Sequence, residues 1–282
     1  MIFQAGVIAK PVLGRRLTGR VIGRTRNALY FDCDGFVVIV VPDDRWLMPS
    51  GILIKDFLPD VSPGTPIVES SGSELLVGSA PVNLADAEIW ETSVPRPRNL
   101  DEVAERALAI LGFLEATDPG ALLLDSGLYV AADLQARKGV KGLWEGLIHR
   151  DVDSLLLGGQ LLVGSGPGLT PEGDDVLAAV AACVSIMGPV AGMDGLFDGA
   201  WRYLEQLARE RTTGIAATLF QLALGGNVPK AASQLVNVAT PFQTSTVGLL
   251  RGLGKSTGNA WLVGCTLAAW ALAFPSREIS IS

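Results

Sequence analysis

The sequence predicts an α+β protein in two segregated parts, an N-terminal small β barrel or sandwich followed by a C-terminal all-helical domain. Three observations predict it. Short β-branched and aromatic runs, parted by Pro, Gly and Ser turns, crowd the first ninety or so residues. From Asn99 onward the apolar residues recur at helical spacing instead. Between the two, Pro95-Arg96-Pro97-Arg98 interrupts both patterns, because X-Pro steps favour extended backbone over helix. The boundary falls there, giving a β-rich domain over 1–95 and a helical domain over 96–282 that carries the glycine-rich motifs. Strands do not alternate with helices after Asn99, so a parallel nucleotide-binding sheet is excluded.

In chain order, Leu29–Asp32 and Gly35–Val41 flank Cys33-Asp34-Gly35, where Asp-Gly is a hairpin signal. Ile52–Ile54, Pro66–Glu69 and Leu75–Val77 follow as short strands, separated by turns such as Ser62-Pro63-Gly64 and Ser70-Ser71-Gly72. Asn99 caps a helix whose first turn holds Asp101 and Glu102, where the helix dipole favours acids. Val103, Ala107, Ile110, Leu111 and Leu114 form its apolar face. Further helices are expected over Leu143–Leu162, Leu196–Glu210, Ile215–Leu224, Val228–Ala239 and Trp261–Phe274, and Gly225-Gly226 gives a C-terminal stop.

Composition narrows the function. The chain has 282 residues, 49% hydrophobic and 18% charged, with a net charge of −7. A charged fraction below the ~25% of ordinary soluble proteins excludes disorder and coiled coil. An acidic chain without a basic block is a poor partner for nucleic acid or an anionic membrane, so small molecules and other proteins are the expected partners. Cys33, Cys183 and Cys265 are odd in number and widely spaced, which fits neither a disulfide framework nor a Cys-x-x-Cys metal knuckle. With no signal-peptide layout at Met1-Ile-Phe-Gln-Ala-Gly, a reduced, cytoplasmic setting is expected. Val176–Met193 and Ala260–Phe274 are uncharged, but their Ala, Gly and Val content reads as buried helices of a tight core.

The segment that stands out is Gly164-Ser-Gly-Pro-Gly-Leu-Thr-Pro-Glu-Gly-Asp-Asp175. Thr170 is placed to cap a helix with Pro171 at its first position. Gly164, Gly166 and Gly168 strip side chains from the preceding loop, so its N–H groups approach a ligand closely. Asp174 and Asp175 would repel an anion there unless a divalent cation lies between them or they point elsewhere. They are therefore the candidate catalytic residues and the candidate Mg²⁺ ligands, with Gly166, Gly168, Thr170 and Gly173 binding substrate; a capped core helix is the plain alternative.

Two further helix starts resemble it. Gly252-Leu-Gly-Lys-Ser-Thr-Gly-Asn259 lacks the first glycine of a phosphate-binding P-loop, and no strand leads into it. It also matches Gly-x-Ser-x-Gly, but the only histidine, His149, lies upstream, which excludes a nucleophile elbow. What remains is a glycine-rich helix start with Lys255, Ser256, Thr257 and Asn259 as anion partners, donors or caps. At Arg211-Thr212-Thr213-Gly214 one threonine caps the next helix, and Arg211 and Thr213 are candidate anion contacts. His149 reads as a helix-surface residue, and Trp144, Trp201, Trp261 and Trp270 as core.

Gly166-Pro-Gly-Leu-Thr-Pro-x-Gly-Asp-Asp-x-Leu177 resembles the bacterial family DUF2877, which includes the H subunit of oxamate carbamoyltransferase. Thr212-Thr213-x-Ile215 with Leu219 and Gly225, and Gly254-x-Ser256-Thr257-Gly258, support it; Gly78-Ser79-Ala80 and Trp90 match more loosely. Where the last motif of that family usually carries Asp, this chain has Ala260, with Asn259 beside it. The resemblance implies carbamoyl transfer between oxamate and phosphate in purine-derived nitrogen catabolism. It also implies protein partners of the FdrA-like and DUF1116-like families. Two other functions stand against this one: a Mg²⁺-dependent hydrolase or transferase acting alone, and a non-catalytic scaffold subunit.

Overall fold

The computed structural model describes residues 2–55, 58–71, 73–117 and 134–275; Met1 and Gly72, which figure above, lie outside them. The chain divides into two compact units, Met1–Thr92 and Ser93–Ser282. As the sequence indicates, the first is built of strands and the second of helices.

The first unit holds β1 (Phe3–Ala9), β2 (Gly19–Arg24), β3 (Leu29–Cys33), β4 (Phe36–Val41), β5 (Gly51–Ile54), β6 (Pro66–Ser71), β7 (Glu74–Val77), β8 (Ala80–Asn83) and β9 (Glu88–Trp90). Eight strands close into a barrel in the order β1-β5-β4-β3-β2-β6-β7-β8 and back to β1, and β9 adds to β1 in parallel. Closure gives nearly every strand a ladder on both sides, which removes open edges. β3 and β4 form the Asp-Gly hairpin, in register from Leu29 opposite Val40 to Cys33 opposite Phe36. Asp34 and Gly35 have φ of 52° and 82°, the type I′ geometry whose twist suits a hairpin. The Asp32 carboxylate accepts from Gly35 N–H at 2.7 Å and fixes the turn. Four strands, β1, β2, β8 and β9, lie beyond the expected set. In β2 only Val21 is buried, and β1 is broken by a bulge between Ala5 and Val7, so neither presents clean alternation.

The second unit contains α1 (Leu100–Thr117), α2 (Leu134–His149), α3 (Val152–Leu162), α4 (Glu172–Met187), α5 (Asp198–Arg211), α6 (Gly214–Leu224), α7 (Lys230–Val236), α8 (Thr244–Arg251) and α9 (Thr257–Ala273). Asn99 caps α1 as expected, its side-chain oxygen accepting from Glu102 N–H at 3.1 Å. The helix expected over Leu143–Leu162 is instead the end of α2 and the whole of α3. Arg150 turns the chain at φ 55°, and Asp151 caps α3 by accepting from Asp153 N–H at 3.1 Å and Ser154 Oγ at 2.6 Å. The segment Val228–Ala239 is helical only over α7, and α8 was not expected at all.

α4 is buried along nearly its whole length, against α9 and α6. A Cβ at Gly264 of α9 would lie 2.6 Å from Ala179 Cβ and 2.7 Å from Val176 O of α4, so these two helices approach as only glycine permits. Trp201 packs edge-on against Phe197 and Phe220, each at 6.4 Å, and Trp144 and Trp261 are buried as expected. Arg106 of α1 is 4% exposed and donates to the carbonyls of Gln234, Leu235, Asn237 and Thr240, bracing the end of α7 and the turn after it. His149 is exposed at the end of α2. Among the described residues, no helix is long and apolar enough to cross a membrane.

Candidate functional site

The loop between α3 and α4 is shaped by glycines with φ of 72°, 109° and 104° at Gly164, Gly166 and Gly168, a region L side chains disfavour. It folds back on the first turn of α4: Ser165 N–H donates to Leu162 O, and Gly173 N–H donates to Ser165 O, both at 2.9 Å. Gly173 is fixed by this closeness, since a Cβ there would fall 2.3 Å from Leu162 O. Gly166 and Gly168 stay exposed.

Pro171, not Thr170, is the cap residue of α4, and no side chain caps that end. Thr170 is drawn elsewhere, its hydroxyl 3.0 Å from that of Thr257, the first residue of α9. Thr213 caps α6 by accepting from Ala216 N–H at 3.1 Å, and donates its own proton to Leu169 O at 2.5 Å. Thr212 takes a different role and donates to Asp174 Oδ2. The amino-terminal ends of α4, α6 and α9 are thus tied together through one loop. Each turns the positive end of its helix dipole there, which favours anions.

The two aspartates differ. Asp174 is 4% exposed, and both its oxygens are occupied, Oδ1 by Gly164 N–H at 2.9 Å and Oδ2 by Thr212. Burial pushes its pKa up to about 6, and the Thr212 and Gly164 donors hold it from going higher. Asp175 is 3% exposed, and its Oδ2 has no hydrogen-bond partner. Burial drives its pKa well above the carboxylate range; Thr257 and Thr170 hydroxyls oppose this, while the charges of Asp174 and Glu172 add to it.

The oxygens available to a divalent cation here are few. Mg²⁺ requires an octahedron of oxygens, and both oxygens of Asp174 already serve donors of the chain. Among the described residues no group of three or more His, Cys, Asp or Glu gathers that could hold a metal.

Of the other expected residues, Ser256 and Asn259 are half-buried, and neither side chain caps α9. Arg211 and Lys255 are exposed, at the end of α5 and just before α9, and among the described residues their side chains bond to nothing. The Arg211 carbonyl, rather than its guanidinium, abuts the loop, 2.8 Å from where a Gly164 Cβ would lie. Sequence reasoning missed Ser165, whose hydroxyl is buried without a partner; its position between Gly164 and Gly166 was the only signal. It also missed that Gly164 serves Asp174 through its N–H.

The geometry defines an all-helical unit whose polar helix starts meet at buried acids under a glycine loop. Residues 162–269, which run from the end of α3 nearly through α9, match the family described as oxamate carbamoyltransferase subunit AllH. That is the family the Gly166–Leu177 motif resembles. No curated protein and no solved structure matches the chain.

Proposed function

We propose that the chain is a subunit of a carbamoyltransferase-type enzyme and binds a small anionic substrate where α4, α6 and α9 begin. The observation that carries this is the tie between three helix starts, made by Thr170 with Thr257, Thr213 with Leu169 O, and Thr212 with Asp174. The match over 162–269 supports it, because the matched segment contains every one of these contacts.

Carbamoyl transfer between oxamate and phosphate needs a cradle for carboxylate or phosphate and dipoles for the oxyanion of a tetrahedral intermediate. The dipoles of helix starts supply both without reorganising. Asp174 serves by holding the loop, clamping Gly164 to Thr212. Lys255 and Arg211, both exposed, contribute positive charge and steer anions inward. Catalysis is shared with subunits of the FdrA-like and DUF1116-like families, in the cytoplasm.

The test is reconstitution of the complex and assay of carbamoyl phosphate formed or consumed with oxalurate or oxamate. Asp174→Ala abolishes turnover while circular dichroism shows an intact helical fold. Unchanged turnover in that variant overturns the proposal.

A further inference from the structure

α4 and α9 run side by side in the same direction. At their starts the hydroxyls of Thr170 and Thr257 lie 3.0 Å apart, and further along a Cβ at Gly264 would meet Val176 O at 2.7 Å and Ala179 Cβ at 2.6 Å. These two contacts fix the register. Trp261, one turn beyond Thr257, stands level with Asp175, one turn beyond Pro171. Both belong to rows that face the seam, since Asp175 lies four residues before Ala179 and Trp261 three before Gly264. Side chains on a helix lean back towards its start, so the carboxyl group and the indole lean towards the Thr170–Thr257 contact. They are 3% and 1% exposed, and Asp175 Oδ2 and Trp261 Nε1 are each buried without a hydrogen-bond partner among the described residues. Native interiors rarely leave such atoms unsatisfied, and here two occur at one level of one seam.

We propose that these two atoms form a subsite for a primary amide or carbamoyl group, the Trp261 indole N–H donating to its carbonyl oxygen and Asp175 Oδ2 accepting from its NH2. This rests on the anion-binding reading above and deepens it. The carboxylate or phosphate of the ligand stays at the helix starts, and its amide end enters the seam between α4 and α9. The chemistry of the two atoms selects the group. An indole N–H only donates, and a carboxyl group offers an acceptor oxygen in either protonation state, so the ligand has to bring an acceptor and a donor side by side. A carboxamide carries both on one carbon, whereas a ketone or a second carboxylate lacks the donor. A buried polar atom left unpaired penalises the ligand that lacks its partner, which makes such a subsite discriminating. Thr257 lies one turn outside the two atoms, so its contact with half-exposed Thr170 parts to admit the amide.

The test titrates the full chain by calorimetry with oxamate and with pyruvate, which keeps the carboxylate and the carbonyl but has a methyl group in place of NH2. Wild type binds oxamate about tenfold more tightly than pyruvate, the worth of one donor lost against a buried acceptor. Asp175→Leu brings the two affinities to within about threefold of each other. Misfolding lowers both together, so the lost preference is a readout that a structural role would not move. Trp261→Phe keeps a ring in the core and removes the N–H; it weakens both ligands about tenfold and leaves their ratio unchanged. In nitrogen-labelled wild type, the indole N–H resonance that Trp261→Phe deletes shifts when oxamate is added. Equal binding of oxamate and pyruvate by wild type, a preference that survives Asp175→Leu, or an indole resonance unmoved by bound oxamate overturns the amide subsite and leaves the anion site standing. A resident water then satisfies the two atoms. If wild type binds neither ligand, the anion-site reading falls, and the subsite falls with it.

Discussion

Among its described residues the helical unit buries charged side chains in two places, and they are built in opposite ways. Arg106 is 4% exposed, yet its guanidinium meets four carbonyl oxygens. Asp174 and Asp175 are equally buried but adjoin each other, and one of their oxygens has no partner. Burial alone therefore does not say how well a charge is accommodated. Partners set the energetics: a buried charge surrounded by fitting partners holds structure, whereas a buried carboxyl oxygen left without one weakens the fold that contains it.

The comparison is most severely tested at Arg106. Arg106→Met leaves four carbonyls without their donor and lowers stability by on the order of 3 kcal/mol, read from urea unfolding. A loss too small to measure would break the contrast. At Asp174 the sign reverses with pH. Its folded pKa of about 6 lies above the ordinary carboxylate value of about 3.9, so the folded state binds this proton more tightly. The stabilisation is fully present below about pH 4 and is lost as pH rises through about 6. Relative to Asp174→Asn, wild type thus loses on the order of 2–3 kcal/mol between about pH 4 and 7. A flat difference between the two unfolding profiles would place Asp174 with Arg106. The smallest effect is at Thr213, where Thr213→Val removes a cap and costs about 1 kcal/mol, seen as a modest fall in melting temperature.

The barrel was legible where alternation and turn chemistry agree, as at β3, Asp34-Gly35 and β4. It was not legible at β2 and β9, of whose residues half or more are exposed and whose pairing is set by neighbouring strands rather than by their own pattern. In the helical unit, the glycine loop and the acids of α4 were visible because glycine spacing and Pro171 act locally. The roles of Thr170 and Thr212 were not, because their partners are Thr257, 87 residues onward, and Asp174, 38 residues back. Arg106 drew no attention in the sequence for a related reason: its acceptors are backbone carbonyls, which no side-chain motif announces. The break at Arg150 was written in Asp151-Val-Asp-Ser154, a cap signal masked by the apolar runs on either side.

The contact at Gly264 has a mechanical corollary. Where two rods touch backbone to backbone, neither can slide without forcing Ala179 and Val176 apart. The spacing of α4 from α9 is thereby clamped. Any rearrangement is left to the loop carrying Gly166 and Gly168, which is exposed.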